Sequence, residues 1–388
     1  MSVQHPLLII VIAAVLVIAA GCTQLAAPQQ PAPETPVVNV TVPFAPIPVE
    51  STNGVNIAYE LEFTGTEKMT FMPEKVEVID PATGTVIYTA DGTLLSSTFH
   101  PASVPPPTEA ELQDGTAKLL LPRINIWFRV ETDAVPDRLT HRVTLNRTAD
   151  GLPLLTVTGG DVAVRKDLSP VVVGAPVRGP GWVIIETTSP LVHHARSQIT
   201  MHGVTRVPQR YAQDYMYLDP ATGAPFSGNE TVARDWYGFG MELYAVGNGT
   251  VVYARDGVPD IEITTQKPPA TIDTALGNGV VIDLGDRKYA CYGHMVNGSV
   301  RVKVGDTVTE GQVIGLMGNT GNSDAPHLHF QVITDNPAVL GGEGYPIVYR
   351  SFNLTGTFSE DSITATFLDK PVPQQDRLME NDVVVSFP

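Results

Sequence analysis

The chain has 388 residues, enough for two or three domains with sizeable cores. Its formal net charge is −17 and its 24 Lys and Arg form no cluster, which argues against nucleic acid or an anionic membrane surface as the main partner. Two cysteines, Cys22 and Cys291, are too few for a disulfide framework.

Leu7 through Ala20 form an unbroken apolar run, long enough for a signal-peptide core and short of the roughly 20 residues that span a bilayer. Ala19-Ala20-Gly21-Cys22 closes it and resembles the lipobox of prokaryotic lipoproteins, although no Lys or Arg precedes the run. That resemblance implies a signal peptide over 1–22, lipidation at Cys22 and an extracytoplasmic, membrane-anchored protein. A disulfide between Cys22 and Cys291 would sit oddly beside a cleavage site, so none is expected. The Pro-, Gln- and Ala-rich stretch up to Pro36 reads as an extended tether over 23–36.

From residue 37 the pattern turns to alternation. Val55, Ile57, Tyr59, Leu61 and Phe63 predict a half-buried strand, and Leu139, His141, Val143 and Leu145 another. Between them, Val76, Val78, the Pro81-Ala82-Thr83-Gly84 turn and Val86-Ile87-Tyr88 predict a hairpin, followed by the apolar run from about Leu119 to Val130. Short strands, turn signals and no helical period predict an immunoglobulin-like β-sandwich over 37–165. It carries no evident chemistry, and His141 reads as a core histidine rather than a ligand.

The Pro- and Gly-rich segment from Leu168 to Pro180 marks a second boundary, with a domain expected over 166–388. Its polar residues are unusual. His193-His194-Ala195-Arg196 and His202 precede Gln209-Arg210-Tyr211-Ala212-Gln213-Asp214-Tyr215, in which alternation sets Asp214 on a face shared with Ala212 and Met216. A carboxylate on an apolar face is costly unless paired or bound to a metal. Tyr289-Ala290-Cys291-Tyr292-Gly293-His294 and the Val302–Gly315 run lead into Gly318-Asn319-Thr320-Gly321-Asn322-Ser323-Asp324-Ala325-Pro326-His327-Leu328-His329-Phe330. On a strand, His327 and His329 share one face while Leu328 and Phe330 turn to the core. The Gly, Asn, Ser and Pro before them are turn formers that bring the strand to a loop-lined edge.

These segments, over about 180–350, resemble the lysostaphin/LytM-type zinc metalloendopeptidases, the peptidoglycan-cleaving DD-endopeptidase family. The resemblance implies an all-β chain whose second domain is an antiparallel, groove-bearing sheet with one catalytic zinc. It further implies that Asp214 and His329 are zinc ligands and that His294 and His327 are the catalytic, non-ligand histidines. A zinc with three protein ligands keeps a fourth position for water and lowers its pKa, which is what peptide hydrolysis needs. One ligand departs from the pattern: the family's His-x-x-x-Asp has Arg210 in the His position, and a guanidinium offers only donors. His194 is the first candidate to replace it, followed by His202 and His193.

Three functions follow from these readings. The first is a lipid-anchored zinc endopeptidase acting on cell-wall or other extracytoplasmic peptides. The second is a degenerate peptidase-like module that binds without cutting. The third is a biotinyl or lipoyl carrier, suggested by the Val-Gly-Asp run. It needs a Met-Lys turn that the run lacks, and Lys303 is expected inside a strand. Sequons at Asn39, Asn146, Asn229, Asn248, Asn297 and Asn353 suit an exported protein.

Overall fold

The strand Gly54–Thr64 shows how the chain's alternation becomes architecture. Ile57, Tyr59, Leu61 and Phe63 point one way into a core shared with Ile124 and Ile126 of its neighbour Arg123–Val130. That sheet holds five short strands. It faces a second, four-stranded antiparallel sheet in the order Thr85–Asp91, Met72–Asp80, Arg138–Asn146, Leu155–Ala163. Val76, Val78, Leu139, Val143 and Leu145 supply that sheet's half of the same core. The hairpin predicted around Pro81–Gly84 forms, and a single helical turn pair, Gly92–Thr98, follows it. The computed structural model describes residues 37–66, 69–102, 121–263 and 271–388, so the signal-peptide, lipobox and tether expectations lie outside the described residues.

His141 is a core residue, as the alternation predicts. It is fully buried, and Tyr59 donates its O–H to His141 Nε2 at 2.7 Å. The expectation of a half-buried strand at Val55–Phe63 is corrected, because both faces are covered. Asn56, Ala58 and Glu60 on the opposite face are buried too. Their cover comes from the second half of the chain, whose main core includes Val49, Ala58 and Trp127 of the sandwich. The described residues from Val37 to Pro388 accordingly form one compact unit.

The second half is built on an eleven-stranded antiparallel sheet. Its central order is Asn278–Asp283, Lys288–Met295, Leu328–Thr334, Gln213–Tyr217, Gly179–Ile185, Val383–Phe387, Phe352–Ser359 and Thr364–Gln374. The C-terminal segments complete this sheet. Phe330, Tyr292, Val280 and Ile282 fill the core on one side. Lys303 does not lie in a strand. It sits exposed in the turn closed by the Asp306 N–H to the Lys303 carbonyl and pairs with Asp306 at 2.6 Å, flanked by valines rather than Met. Cys291 is a buried free thiol whose pKa is pushed up by burial.

Candidate metal centre

Three adjacent strands converge on His329. Asp214 is its register partner on the Gln213–Tyr217 strand, and Gly293 is its partner on the Lys288–Met295 strand, next to His294. Leu328 and Phe330, on the other face, are fully buried and lock the strand's orientation. His327, just ahead of the strand, shares the face of His329: its Nε2 is 3.4 Å from Asp214 Oδ2. The fourth element is the short helix His193–Arg196, whose His194 Nε2 lies 3.5 Å from the same oxygen.

His194, Asp214 and His329 each offer a ligand atom within 4.8 Å of the others, and all three are buried. Of the three histidines that the sequence left open, His194 is therefore the one brought to Asp214. His193 is exposed on the same helix, with its ring 3.3 Å from Ser197 Oγ, and His202 is exposed at the turn between Ile199–Met201 and Val204–Arg206.

Outer hydrogen bonds decide which ring nitrogen faces inward. His194 donates Nδ1–H to the Glu186 carbonyl at 2.8 Å, leaving the Nε2 lone pair towards Asp214. Gln331 donates its amide N–H to the Val339 carbonyl at 3.1 Å, so its Oε1 accepts from His329 Nε2–H at 2.9 Å. Gln209 approaches that nitrogen more distantly, at 3.4 Å. The Nδ1 lone pair of His329 is thus turned to Asp214 Oδ1 at 3.0 Å. Two imidazole lone pairs and a carboxylate face one another, a donor set that fits zinc and leaves a fourth position open. Burial alone would raise the Asp214 carboxyl, but the rings of His194, His327 and His329 outweigh it and hold it well below the usual carboxylate range. Burial also lowers His194 to about 3, so its lone pair is free near neutral pH.

His294 and His327 form a second pair, with ring centroids 4.6 Å apart. Each donates its Nδ1–H to a backbone carbonyl: His294 to Thr320 at 2.7 Å and His327 to Ala325 at 2.8 Å. Both Nε2 atoms are left as acceptors. Burial, followed by His327 and His329, holds His294 well below its ordinary pKa. His294 also has a left-handed backbone, φ 63°, uncommon for any residue but Gly and a local strain of the kind found at functional sites.

The glycines of the 318–321 turn explain how Thr320 reaches His294. A Cβ on Gly321, which has φ 78°, would lie 2.4 Å from Gly277 N, and one on Gly318 would lie 2.4 Å from Val296 N. The turn can therefore press directly against the backbone beside His294. The resulting cleft, about 400 Å3, is lined by His194, Asp214, His294, His327 and His329 together with Glu186, His193 and Asp324.

Arg210 is turned to another task. It is buried and ion-paired with Glu60 of the sandwich and with Glu343, and its Nε donates to Glu60 Oε1 at 3.2 Å. Burial opposes its charge, yet the two carboxylates outweigh burial and raise its pKa further. Burial pushes Glu343 up to about 7.

The family model described as "Peptidase family M23" matches residues 237–340, which contain His294, His327 and His329. The chain carries a peptidase family M23 domain. His194 and Asp214 lie upstream of the matched segment, so their part in the site rests on the geometry above. Among curated proteins, the peptidoglycan DD-endopeptidase ShyA of Vibrio cholerae is 41% identical over 91 residues, covering 23% of this chain and 19% of that protein. Lysostaphin of Staphylococcus staphylolyticus is 35% identical over 109 residues, covering 24% of this chain and 21% of that protein. The chain thus spans about a fifth of the length of these relatives. Among solved structures, the catalytic domain of lysostaphin from Staphylococcus simulans matches at 25% identity and a TM-score of 0.22, covering 34% of this chain and 74% of that one.

The sequence reading missed the residues that orient the site's histidines. Gln331 carried a usable signal, since it follows His329 by two on the same strand face. Glu186 and Thr320 carried none, because they act through backbone carbonyls.

Proposed function

We propose that this chain is a zinc metalloendopeptidase that hydrolyses peptide bonds of cell-wall or other extracytoplasmic peptides. The observation that carries the reading is the convergence of the lone pairs of His194, Asp214 and His329 beside a second, non-ligand histidine pair. Zinc held by those three residues would polarise a scissile carbonyl and acidify a water for attack. The rest of the chemistry falls to this chain's own side chains. His294 and His327, each anchored at Nδ1, offer Nε2 to the reacting atoms: the neutral ring takes the proton from the attacking water. Its partner, when protonated, donates to the carbonyl oxygen as that oxygen gains negative charge, and protons then pass to the leaving amine. Peptidoglycan is the substrate named for the Vibrio relative, and the same substrate class is proposed here. Lipid anchoring through Cys22 belongs to the proposal on the strength of its lipobox-like sequence.

The test is zinc content of the purified full chain together with turnover on peptidoglycan and a peptide library. About one equivalent of zinc and release of new amino termini are expected. A protein free of zinc under zinc excess would remove the reading. Zinc-loaded protein that binds wall material without cutting it would select the non-catalytic module instead.

A further inference from the structure

Among the described residues, the sandwich reaches the metal centre through the segment that carries His194. Asn125, on the outer face of Arg123–Val130 and 4% exposed, donates its amide N–H to the Ala195 carbonyl at 2.8 Å. Its Oδ1 accepts from Gln198 Nε2 at 2.9 Å, so one amide grips the helix at Ala195 and the chain just after it. Two residues earlier, Arg123 donates to the Thr205 carbonyl at 3.2 Å while its guanidinium is held by Glu62. The helix His193–Arg196 has only four residues and no side-chain cap, too short to hold its own shape in isolation. His194 therefore depends on outside contacts for its position. The Glu186 carbonyl fixes its ring, the Glu186 carboxylate accepts from the His193 N–H at 2.6 Å, and Asn125 holds the following residue through the Ala195 carbonyl.

We propose that Asn125 is a positioning residue for the metal centre, and that the sandwich serves to set the His194 backbone within bonding reach of Asp214 and His329. The inference rests on the zinc reading above only for its metal readout. The sandwich is then a structural part of the peptidase site rather than a spacer, and its outer face is buried for that reason.

The experiment compares full-length wild type with Asn125→Ala, Asn125→Asp and a control, Asn56→Ala. Asn56 is a fully buried amide on the neighbouring sandwich strand that bonds Trp127, Arg129 and Ser51 and makes no contact with the His194 helix. Zinc affinity is read by chelator competition, coordination by the visible spectrum of the cobalt-loaded protein, and the metal-free state by the rate at which diethylpyrocarbonate modifies His194. Asn125→Ala is expected to weaken zinc at least about tenfold, to change the cobalt spectrum and to speed modification of His194. Asn125→Asp, which keeps the acceptor for Gln198 and loses the donor to Ala195, is expected to behave like Asn125→Ala. Asn56→Ala is expected to lower the unfolding midpoint without moving any of the three readouts. Wild-type zinc affinity and wild-type His194 modification in Asn125→Ala would overturn the proposal, as would equal changes in Asn56→Ala. Wild-type protein that binds no zinc would count against the functional reading alone, and the modification rate in metal-free protein would still decide the role of Asn125.

Discussion

His329 and Asp214 stand 115 residues apart in the chain, yet they are register partners on adjacent strands and their side chains meet at 3.0 Å. The sheet's hydrogen bonds set that distance, so the pairing does not depend on a flexible loop. Replacing either ligand should therefore remove metal without unfolding the sheet. Asp214→Asn, similar in shape but uncharged, and His329→Ala are each expected to bring zinc content from about one equivalent to near zero. Circular dichroism should stay at the wild-type signal. Full zinc occupancy in Asp214→Asn would refute the assigned ligand set.

His294 invites the opposite result. It lies outside the ligand cluster, and Asn tolerates the left-handed backbone that His294 adopts at φ 63°. His294→Asn should keep its zinc and its unfolding midpoint while losing roughly 100- to 10,000-fold in turnover, the range expected for removal of an acid–base group. Loss of zinc in this variant would show that His294 is a ligand after all.

Gln331 gives an intermediate case, because it touches no reacting atom. Gln331→Leu removes the acceptor that holds the His329 tautomer, and zinc affinity should fall about 10- to 100-fold. Gln331→Glu restores an acceptor at the same place and should recover most of that loss in chelator competition. If the leucine and glutamate variants bind zinc equally well, Gln331 does not set the ring's orientation.

Local patterns in the sequence were enough for the strand at Phe330 and the paired imidazoles, since i, i+2 alternation and turn formers act over a few residues. They also gave the strands of the sandwich and its buried His141. The immunoglobulin-like reading goes as far as two facing sheets. The choice among His193, His194 and His202 was illegible because it depends on a loop returning to a sheet edge, a long-range event with no periodic trace. The same holds for the outer face of Gly54–Thr64. Asn56 and Glu60 look like solvent-facing polar residues until the second half of the chain covers them.

Arg210 shows what such a covered face costs when disturbed. Its guanidinium is the shared counter-charge of buried Glu60 and Glu343, one from each half of the chain. Arg210→Met leaves two carboxylates buried without a counter-charge and should cost about 3–5 kcal/mol in urea unfolding. Adding Glu60→Leu and Glu343→Leu removes the stranded charges and should restore most of the loss. A triple variant as unstable as the single one would mean that the arginine's packing, rather than its charge, holds the two halves together.

His141 makes the stability of the sandwich depend on pH in a direction that can be worked out. Its Nδ1–H donates to the Gly159 carbonyl at 3.2 Å and its Nε2 accepts from Tyr59, so the neutral ring is fully satisfied, whereas a second ring proton would reverse the bond to Tyr59 and turn the buried hydroxyl's own proton away from its partner. Burial lowers its pKa from 6.5 to about 4. As pH falls, the unfolded chain takes up a proton near 6.5 while the folded chain resists until about 4. The stability from the neutral ring is full above 6.5 and is lost progressively between 6.5 and 4, up to roughly 3 kcal/mol. Urea unfolding of metal-free protein across this window should show the loss in wild type. His141→Gln, whose amide can bond the same partners and does not titrate, should show a flatter profile. Taking the difference between the two proteins cancels contributions from distant groups such as His194, which also titrates low. If both profiles fall with the same slope, the acid sensitivity arises at the metal centre and His141 is protonated without penalty.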